Sequence, residues 1–160
     1  MIVRPIEPQD NQLLYEMIKQ VFEEFDAPRA GTVFSDPTTK NLFKLFQKKK
    51  AHCFVIEENG IVQGCCGIYP TKGLPADCTE LVKFYLPQSA RGKGFGRALM
   101  EKCEETASEI GYNQIYIESL PDFGKAVSIY KKNGYHQLDQ PLGESGHFGC
   151  NIWMVKNLKN

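Results

Sequence analysis

Residues 80–97 read ELVKFYLPQSARGKGFGR and form the most informative segment of this sequence. An apolar run leads into a turn with glycines at 92, 94 and 96, and a long amphipathic helical pattern follows. Glycine lets the main chain approach a ligand closely, so several N–H groups can point into one concavity. The helix would add unpaired N–H groups and the positive end of its dipole. Arg91, Lys93 and Arg97 supply positive charge, so the stretch predicts a diphosphate-binding turn.

Three kinds of turn bind phosphate in this way, and the spacing of the glycines separates them. A P-loop requires Gly-Lys followed by Ser or Thr, whereas Lys93 is followed by Gly94. A dinucleotide-binding turn has the spacing G-x-G-x-x-G near the start of a βαβ unit, and here G-x-G-x-G lies in mid-chain after a hairpin. The P-loop is therefore excluded, and the dinucleotide turn fits poorly.

Two motifs resemble those of the GNAT N-acetyltransferase superfamily. The segment Arg91-Gly-Lys-Gly-Phe-Gly96 is similar to its coenzyme A motif, Arg/Gln-x-x-Gly-x-Gly/Ala. The segment Ala126-Val-Ser-Ile-Tyr-Lys-Lys-Asn-Gly-Tyr135 is similar to its A-x-x-x-Y-x-x-x-G-F/Y signature. Both motifs lie within residues 79–135, and the order of elements is similar over nearly the whole chain. Phe123 departs from the pattern, because many members have Asn at that position.

The resemblance implies an enzyme that moves the acetyl group of acetyl-CoA to a primary amine by direct attack in a ternary complex. It implies no metal. It places the pyrophosphate on the glycine turn and the pantetheine arm beside the preceding strand, where it would pair with exposed main-chain groups. A main-chain N–H near Tyr85 would polarise the thioester carbonyl. The cofactor-binding residues implied are Phe84, Tyr85, Leu86, Arg91, Gly92, Lys93, Gly94, Phe95, Gly96 and Arg97.

The same resemblance suggests two catalytic side chains. Tyr130 would be the general acid for the departing thiolate. A phenol with pKa ~10 faces a thiolate with pKa ~8.5, so unassisted proton transfer is uphill by roughly 2 kcal/mol, which a positioned tyrosine can overcome. Glu80 would be the general base, directly or through water, because the histone-acetyltransferase branch has a glutamate at the matching place. A core tyrosine and a solvent-facing glutamate are the structural alternatives, and Glu118 is a competing base.

The pattern of apolar residues and turn signals predicts one domain over residues 1–160. Strands are predicted at 2–6, 53–57, 61–69, 79–86, 114–118, 135–138 and 150–156, and helices at 9–25, 41–50, 94–110 and 123–132. Strands that meander first and later alternate with helices predict a single mixed α/β sheet with helices on both faces. The resemblance adds that this sheet is mostly antiparallel, as in the GNAT fold.

Composition restricts the partners and the location. Lys plus Arg equals Asp plus Glu at 19 each, so a general nucleic-acid binder is disfavoured. None of the six cysteines forms a C-x-x-C pair, which favours burial in the core over a metal site. The chain opens without a signal-like apolar segment and has no run long enough to span a bilayer, so a cytoplasmic protein without membrane contact is expected.

The acetyl acceptor is not selected by these motifs, and a small-molecule amine or a protein amine both remain open. Two polar loops, 27–38 and 140–149, are expected to border the acceptor pocket. A homodimer involving the last strand near Trp153 is possible by analogy. Two other functions remain: a non-catalytic acyl-CoA-binding or sensor module, and a nucleotide-binding domain. The unranked candidates for contact with a cationic amine are Asp26, Asp36, Glu144 and His147.

Overall fold

The computed structural model describes residues 1–158, which form one seven-stranded sheet in the order β1-β2-β3-β4-β5-β7-β6. Its strands are β1 (Ile2–Pro5), β2 (His52–Glu58), β3 (Ile61–Tyr69), β4 (Cys78–Tyr85), β5 (Gln114–Ser119), β6 (His136–Leu138) and β7 (Ile152–Asn157). Only β4 and β5 run parallel, and every other neighbouring pair is antiparallel. The prediction of a mixed, mostly antiparallel sheet is confirmed.

Four helices cover this sheet: α1 (Asn11–Glu24), α2 (Leu42–Leu45), α3 (Phe95–Glu109) and α4 (Gly124–Lys132). Three match the predicted helices closely, but the helix predicted at 41–50 is wrong beyond Leu45. The chain turns there instead, and Lys50 takes a left-handed conformation with φ of 65° that no helix accommodates. The apolar spacing in this segment therefore serves packing against α1 and β2 rather than a long helix.

Each face of the sheet has its own apolar core. On one face α3 and α4 pack through Leu99, Met100 and Val127 against inward-facing strand residues. On the other face α1 and α2 pack through Leu14 and Leu42. The inner strands are therefore buried on both sides, and this explains their nearly continuous apolar character. Helices on both faces, as predicted, are confirmed.

The sheet opens between its two parallel strands. The pairing of β4 with β5 extends only from Cys78 opposite Gln114 to Glu80 opposite Tyr116. Beyond those pairs β4 continues to Tyr85 and β5 to Ser119 without a shared register. The facing edges of the two strands thus border a cleft into which an extended ligand can insert.

A β-bulge in β4 lies at this cleft. Tyr85 pairs with Cys65 and Val82 with Gly67, so β4 has one residue more than β3 between those pairs. The bulge coincides with Lys83, which adopts a φ of 54°, a conformation that non-glycine residues rarely take. The bulge changes the direction of the main chain just before the glycine turn.

The far end of the sheet bears on the dimer hypothesis. β7 lies between β5 and β6, so the edge strand here is β6 rather than the last strand with Trp153. The homodimer expected to involve the last strand near Trp153 stays a prediction. Within residues 1–158 no helix is long and apolar enough to cross a membrane.

Candidate active site

The glycine turn begins immediately before α3 and has the conformation that its sequence requires. Gly92 and Gly94 have φ angles of 77° and 83°, and a Cβ at either position would meet no atom within 4 Å. Glycine is needed there for its left-handed conformation, while the space beyond the main chain is open. Gly96 differs, because a Cβ there would lie 3.1 Å from the side chains of Leu86 and Phe84. Gly96 thus lets α3 pack closely against the end of β4.

The N-terminus of α3 presents main-chain donors to this open space. Gly94 is the cap residue, no side chain caps the helix, and the first turn contains no acidic residue. The Ala98 N–H bonds to the Gly94 carbonyl at 3.1 Å, so the three preceding N–H groups have no partner within the helix. With the helix dipole behind them, these groups form a site suited to an anion.

The basic side chains of the turn are engaged with carboxylates. Arg91 Nη2 donates to Glu24 Oε2 at 2.9 Å, and Arg91 Nε donates to the carbonyl oxygen of Leu86 at 3.1 Å. Lys93 Nζ lies 3.6 Å from Glu58, and Arg97 Nε donates to Glu101 at 2.7 Å. Arg91 therefore ties the turn to the end of α1, and the uncompensated positive field at this site comes from the main chain.

Glu80 lies where β4 and β5 part, and its side chain is buried. The residue is 4% exposed, and the hydroxyl of Thr71 donates to its Oε2. Burial raises the pKa of the Glu80 carboxyl to about 8, an effect that the Thr71 hydrogen bond opposes and the nearby Glu118 reinforces. The solvent-facing alternative for Glu80 is therefore wrong, because this carboxyl lies inside the protein.

Glu118 faces the same side of the sheet from β5. Its Oε1 accepts a hydrogen bond from the Tyr116 hydroxyl at 2.8 Å, and its Oε2 accepts one from the Ser145 hydroxyl at 2.6 Å. The Leu142 N–H also donates to the Tyr116 hydroxyl, at 3.3 Å. Two hydroxyl groups thus hold Glu118, whereas among residues 1–158 Glu80 accepts a hydrogen bond from one hydroxyl, that of Thr71.

A third group of charges covers the cleft from above. His147 Nε2 lies 2.8 Å from Asp36 Oδ2, joining residues 111 positions apart in the chain. The His147 hydrogen bond, more than the two from Thr38 or the charge of Lys83, holds the pKa of the Asp36 carboxyl well below its usual range. Lys83 Nζ lies 4.0 Å from the same Asp36 oxygen. Sequence reasoning missed Lys83, although a lysine between apolar strand residues was a usable signal.

The two loops expected to border the acceptor pocket meet each other. The Gly149 N–H donates to the Gly31 carbonyl at 2.8 Å, and the Phe148 ring lies against Gly31. The second loop is also tied to the β3–β4 connection, because the Glu144 N–H donates to the Lys72 carbonyl at 2.7 Å. The structure therefore ranks the acidic and histidine candidates: Asp36 and His147 lie at the cleft, while Asp26 and Glu144 are exposed.

Together these side chains form what we call the polar cluster. Its members share the α1 side of the sheet or the loops above it, and they are Asp36, Thr71, Glu80, Lys83, Tyr116, Glu118, Ser145 and His147. Within residues 1–158, no group of three or more His, Cys, Asp or Glu side chains is arranged to hold a metal ion. The carboxyl, hydroxyl, ammonium and imidazole groups of the cluster can transfer protons and recognise charge.

Tyr130 lies on the opposite side of β4. Its side chain is buried in the α3–α4 core, with ring centroids 6.2 Å from Phe84 and 5.8 Å from Tyr135. Burial, with a smaller effect of Cys66, raises the pKa of the Tyr130 phenol above its ordinary value. Glu80 alternates with Leu81, which belongs to the α3–α4 core, so Glu80 and Tyr130 approach the cleft from different faces.

Comparison with known proteins identifies the family of this chain. Residues 13–135 match the model of the acetyltransferase (GNAT) family. The uncharacterised N-acetyltransferase YjgM of Escherichia coli (strain K12) is 30% identical over 158 residues, which cover 98% of this chain and 95% of that protein. The chain therefore belongs to the GNAT family of acetyltransferases.

Solved structures share the fold at lower sequence identity. A GNAT-family acetyltransferase from Staphylococcus aureus Mu50 superposes with a TM-score of 0.84 at 20% identity, covering 99% of both chains. The acetyltransferase YncA of Salmonella typhimurium, solved with its cofactor acetyl-CoA, gives a TM-score of 0.76 at 20% identity, covering 100% of this chain and 95% of that one. These likenesses confirm the fold.

Proposed function

We propose that this protein transfers the acetyl group of acetyl-CoA to a primary amine by direct attack within a ternary complex. One observation carries the proposal: the cleft between β4 and β5 joins the anion site at α3 to a buried carboxyl on one face and a buried phenol on the other. Such an arrangement has a place for the cofactor, for the nucleophile and for the leaving group.

The path proposed for the cofactor follows β4 into the glycine turn. The pyrophosphate binds the N–H groups at residues 92–97, and the pantetheine arm runs along Phe84, Tyr85 and Leu86 in the cleft. The free edge of β4 supports this path, because an extended ligand can pair with main-chain groups that β5 leaves unpaired. The bulge at Lys83 supports it further, since a redirected N–H can face the thioester carbonyl rather than a neighbouring strand.

We assign the two proton-transfer groups from the face of the sheet on which each lies and from its protonation state. Tyr130, kept protonated by its raised pKa, would donate a proton to the departing thiolate from the α4 side. Glu80, with a pKa of about 8, would accept the proton of the amine on the opposite side. A base with a pKa near the working pH combines a usable ionised fraction with adequate basicity. The positive charge of an entering ammonium group would lower this raised pKa and favour the ionised, basic form of Glu80.

Cofactor use is tested first, by thermal unfolding with acetyl-CoA, ATP or NAD. A ligand present at 100 times its dissociation constant adds about 3 kcal/mol to the free energy of unfolding. We expect acetyl-CoA to raise the melting temperature and the two nucleotides to leave it unchanged. Stabilisation by ATP or NAD alone would instead favour the nucleotide-binding alternative.

Catalysis is then tested by following thiol release from acetyl-CoA with a panel of amines. We expect Tyr130→Phe to lower kcat at least about 100-fold, because a positioned acid is lost, while acetyl-CoA affinity stays within about twofold. Tyr135→Phe is the matched control, since its ring packs on Tyr130 but its hydroxyl bonds to Glu104 at 3.1 Å. Binding of acetyl-CoA without thiol release for any amine would favour the sensor alternative, and equal kcat in Tyr130→Phe would remove Tyr130 from the mechanism.

A further inference from the structure

Lys83 is a charged side chain inside the protein that the proposed chemistry does not use. Its side chain is 3% exposed, and the left-handed bulge at this residue turns it toward the α1 side of the sheet. Cys53 and Cys65 of the α1-side core lie near enough to influence its titration. A lysine is rarely buried to this extent unless its ammonium group is paired.

The ammonium of Lys83 has no hydrogen-bond partner among residues 1–158. Its nearest carboxylate oxygen, Asp36 Oδ2, is 4.0 Å away, beyond hydrogen-bonding distance. That oxygen already faces His147 Nε2 at 2.8 Å, and the other oxygen of Asp36 accepts from the Thr38 N–H at 2.9 Å and its hydroxyl at 2.6 Å. The three ammonium donors of Lys83 are therefore available to a ligand.

Lys83 also lies on the part of β4 that borders the cleft, past the last pair with β5 at Glu80. Within the described residues every side-chain nitrogen or oxygen sealed from solvent has a hydrogen-bond partner. Since the Lys83 nitrogen has none, it keeps a small accessible surface. Burial lowers the pKa of the Lys83 ammonium, and the charges of its neighbours in the polar cluster, Asp36 and Glu80, oppose that effect. A buried ammonium without a hydrogen bond, with carboxyls nearby, suits a ligand that carries both signs of charge.

We propose that Lys83 binds a carboxylate of the acetyl acceptor, so that the acceptor is a small amino acid rather than a simple amine. This inference rests on the proposed acetyl transfer. The amine of the acceptor then faces Glu80, while its carboxylate forms a charge-assisted hydrogen bond with the Lys83 ammonium. A carboxylate brings one negative charge for one ammonium, whereas a phosphate dianion would leave charge uncompensated beside Asp36 and Glu118. The joined loops above the cleft favour a small acceptor over a folded protein surface.

The test compares matched acceptors by thiol release: each L-amino acid, its primary amide and its decarboxylated amine. For the wild type, kcat/KM for the best amino acid should exceed that for its amide and its amine at least about tenfold, as expected for a hydrogen bond to a charged group. Lys83→Met should bring this ratio close to one through a higher KM. Lys40→Met is the control, because Lys40 is exposed at the end of the loop that carries Asp36. It should leave the ratio unchanged.

Binding without turnover gives an independent readout. Calorimetric titration of the best amino acid into the coenzyme A-bound protein should show affinity reduced at least about tenfold in Lys83→Met. Lys83→Gln, which keeps a polar side chain, should lose the same affinity, and stabilisation by acetyl-CoA reports that each variant is folded.

Three results would overturn the inference while leaving acetyl transfer intact. The first is an amide that is as good an acceptor as its amino acid, and the second is a preference for the amino acid that persists in Lys83→Met. The third is a fall in kcat of Lys83→Met that is equal for all amines. The last result would make Lys83 a proton-transfer group instead. Absence of thiol release with every amine would contradict the proposed function, and calorimetric titration of each amino acid and its amide into the wild type and Lys83→Met would still decide whether Lys83 binds a carboxylate.

Discussion

The buried carboxyl of Glu80 makes the stability of this protein depend on pH in a calculable way. Its pKa is 4.5 in an unfolded chain and about 8 in the folded protein, because burial disfavours the charged form. The stability from the neutral carboxyl is complete below pH 4.5 and is lost as the pH rises through 8. With 1.36 kcal/mol for each pH unit, ionisation lowers the free energy of unfolding by about 5 kcal/mol.

Glu80→Gln replaces the carboxyl by a neutral amide of the same shape, which cannot ionise at any of these pH values. Its free energy of unfolding minus that of the wild type should therefore grow by about 4 kcal/mol between pH 5 and pH 9. For a chain of this length, about 2–4 °C of melting temperature corresponds to each kcal/mol, so the gap should widen by about 8–16 °C. Titrating groups that do not interact with Glu80 are common to both proteins and cancel in the difference, whereas Glu118 and Lys83 act on Glu80 through their charges and contribute to it.

The assay is thermal unfolding of both proteins at half-unit pH steps, with thiol release measured in parallel. Glu101→Gln is the control, since that side chain is 62% exposed on α3. The difference in free energy of unfolding between this variant and the wild type should stay constant with pH. If Glu80 is the base, kcat/KM of the wild type should also rise with pH through about pH 8, and this rise should be absent from the pH profile of Glu80→Gln. A stability gap that does not change between pH 5 and pH 9 would refute the reasoning from burial.

Two further predictions concern glycines. Gly94→Ala should cost about 1 kcal/mol of stability, because alanine disfavours the left-handed φ of this position, and should weaken acetyl-CoA binding about tenfold. Gly60→Ala is the control: Gly60 has a φ of 77° at the β2–β3 hairpin, so this variant should lose the same stability and keep its affinity for acetyl-CoA. Equal acetyl-CoA affinity in both variants would count against the anion site. Gly149→Ala would bring a Cβ to 2.7 Å from the Ala30 carbonyl, so the loops must separate. We expect the acceptor KM to rise while acetyl-CoA binding, measured by calorimetry, stays unchanged; an unaltered KM would mean that these loops do not border the acceptor.

For Arg91 the sequence predicted the position correctly but not the contacts of the side chain. The sequence puts it at the start of the glycine turn, where its charge suggests a phosphate contact. In the folded protein it pairs with Glu24, which is 67 positions earlier in the chain, and with the carbonyl of Leu86. No local pattern contains that information, because it depends on where the end of α1 packs.

The elements that the sequence alone determined are those whose causes are local. The left-handed φ angles at Gly92 and Gly94 are predictable because glycine adopts them without steric cost, and the helix of residues 95–109 is predictable from its own apolar spacing. Family membership followed from the same short motifs. The helix predicted at 41–50 failed for the opposite reason: its apolar residues are fixed by tertiary packing rather than by helical period.

Tertiary structure alone decided the electrostatics of the cleft. The sequence around Glu80 and Lys83 does not give their protonation, because burial in the fold raises the pKa of the Glu80 carboxyl and lowers that of the Lys83 ammonium. Likewise, only the fold shows that β4 continues past Glu80 without pairing with β5. Asp36 and His147 are in contact only because the two loops that carry them, far apart in the chain, pack against each other. The energy of a charge depends on the solvent and partners around it, and those are set by contacts between residues far apart in the chain.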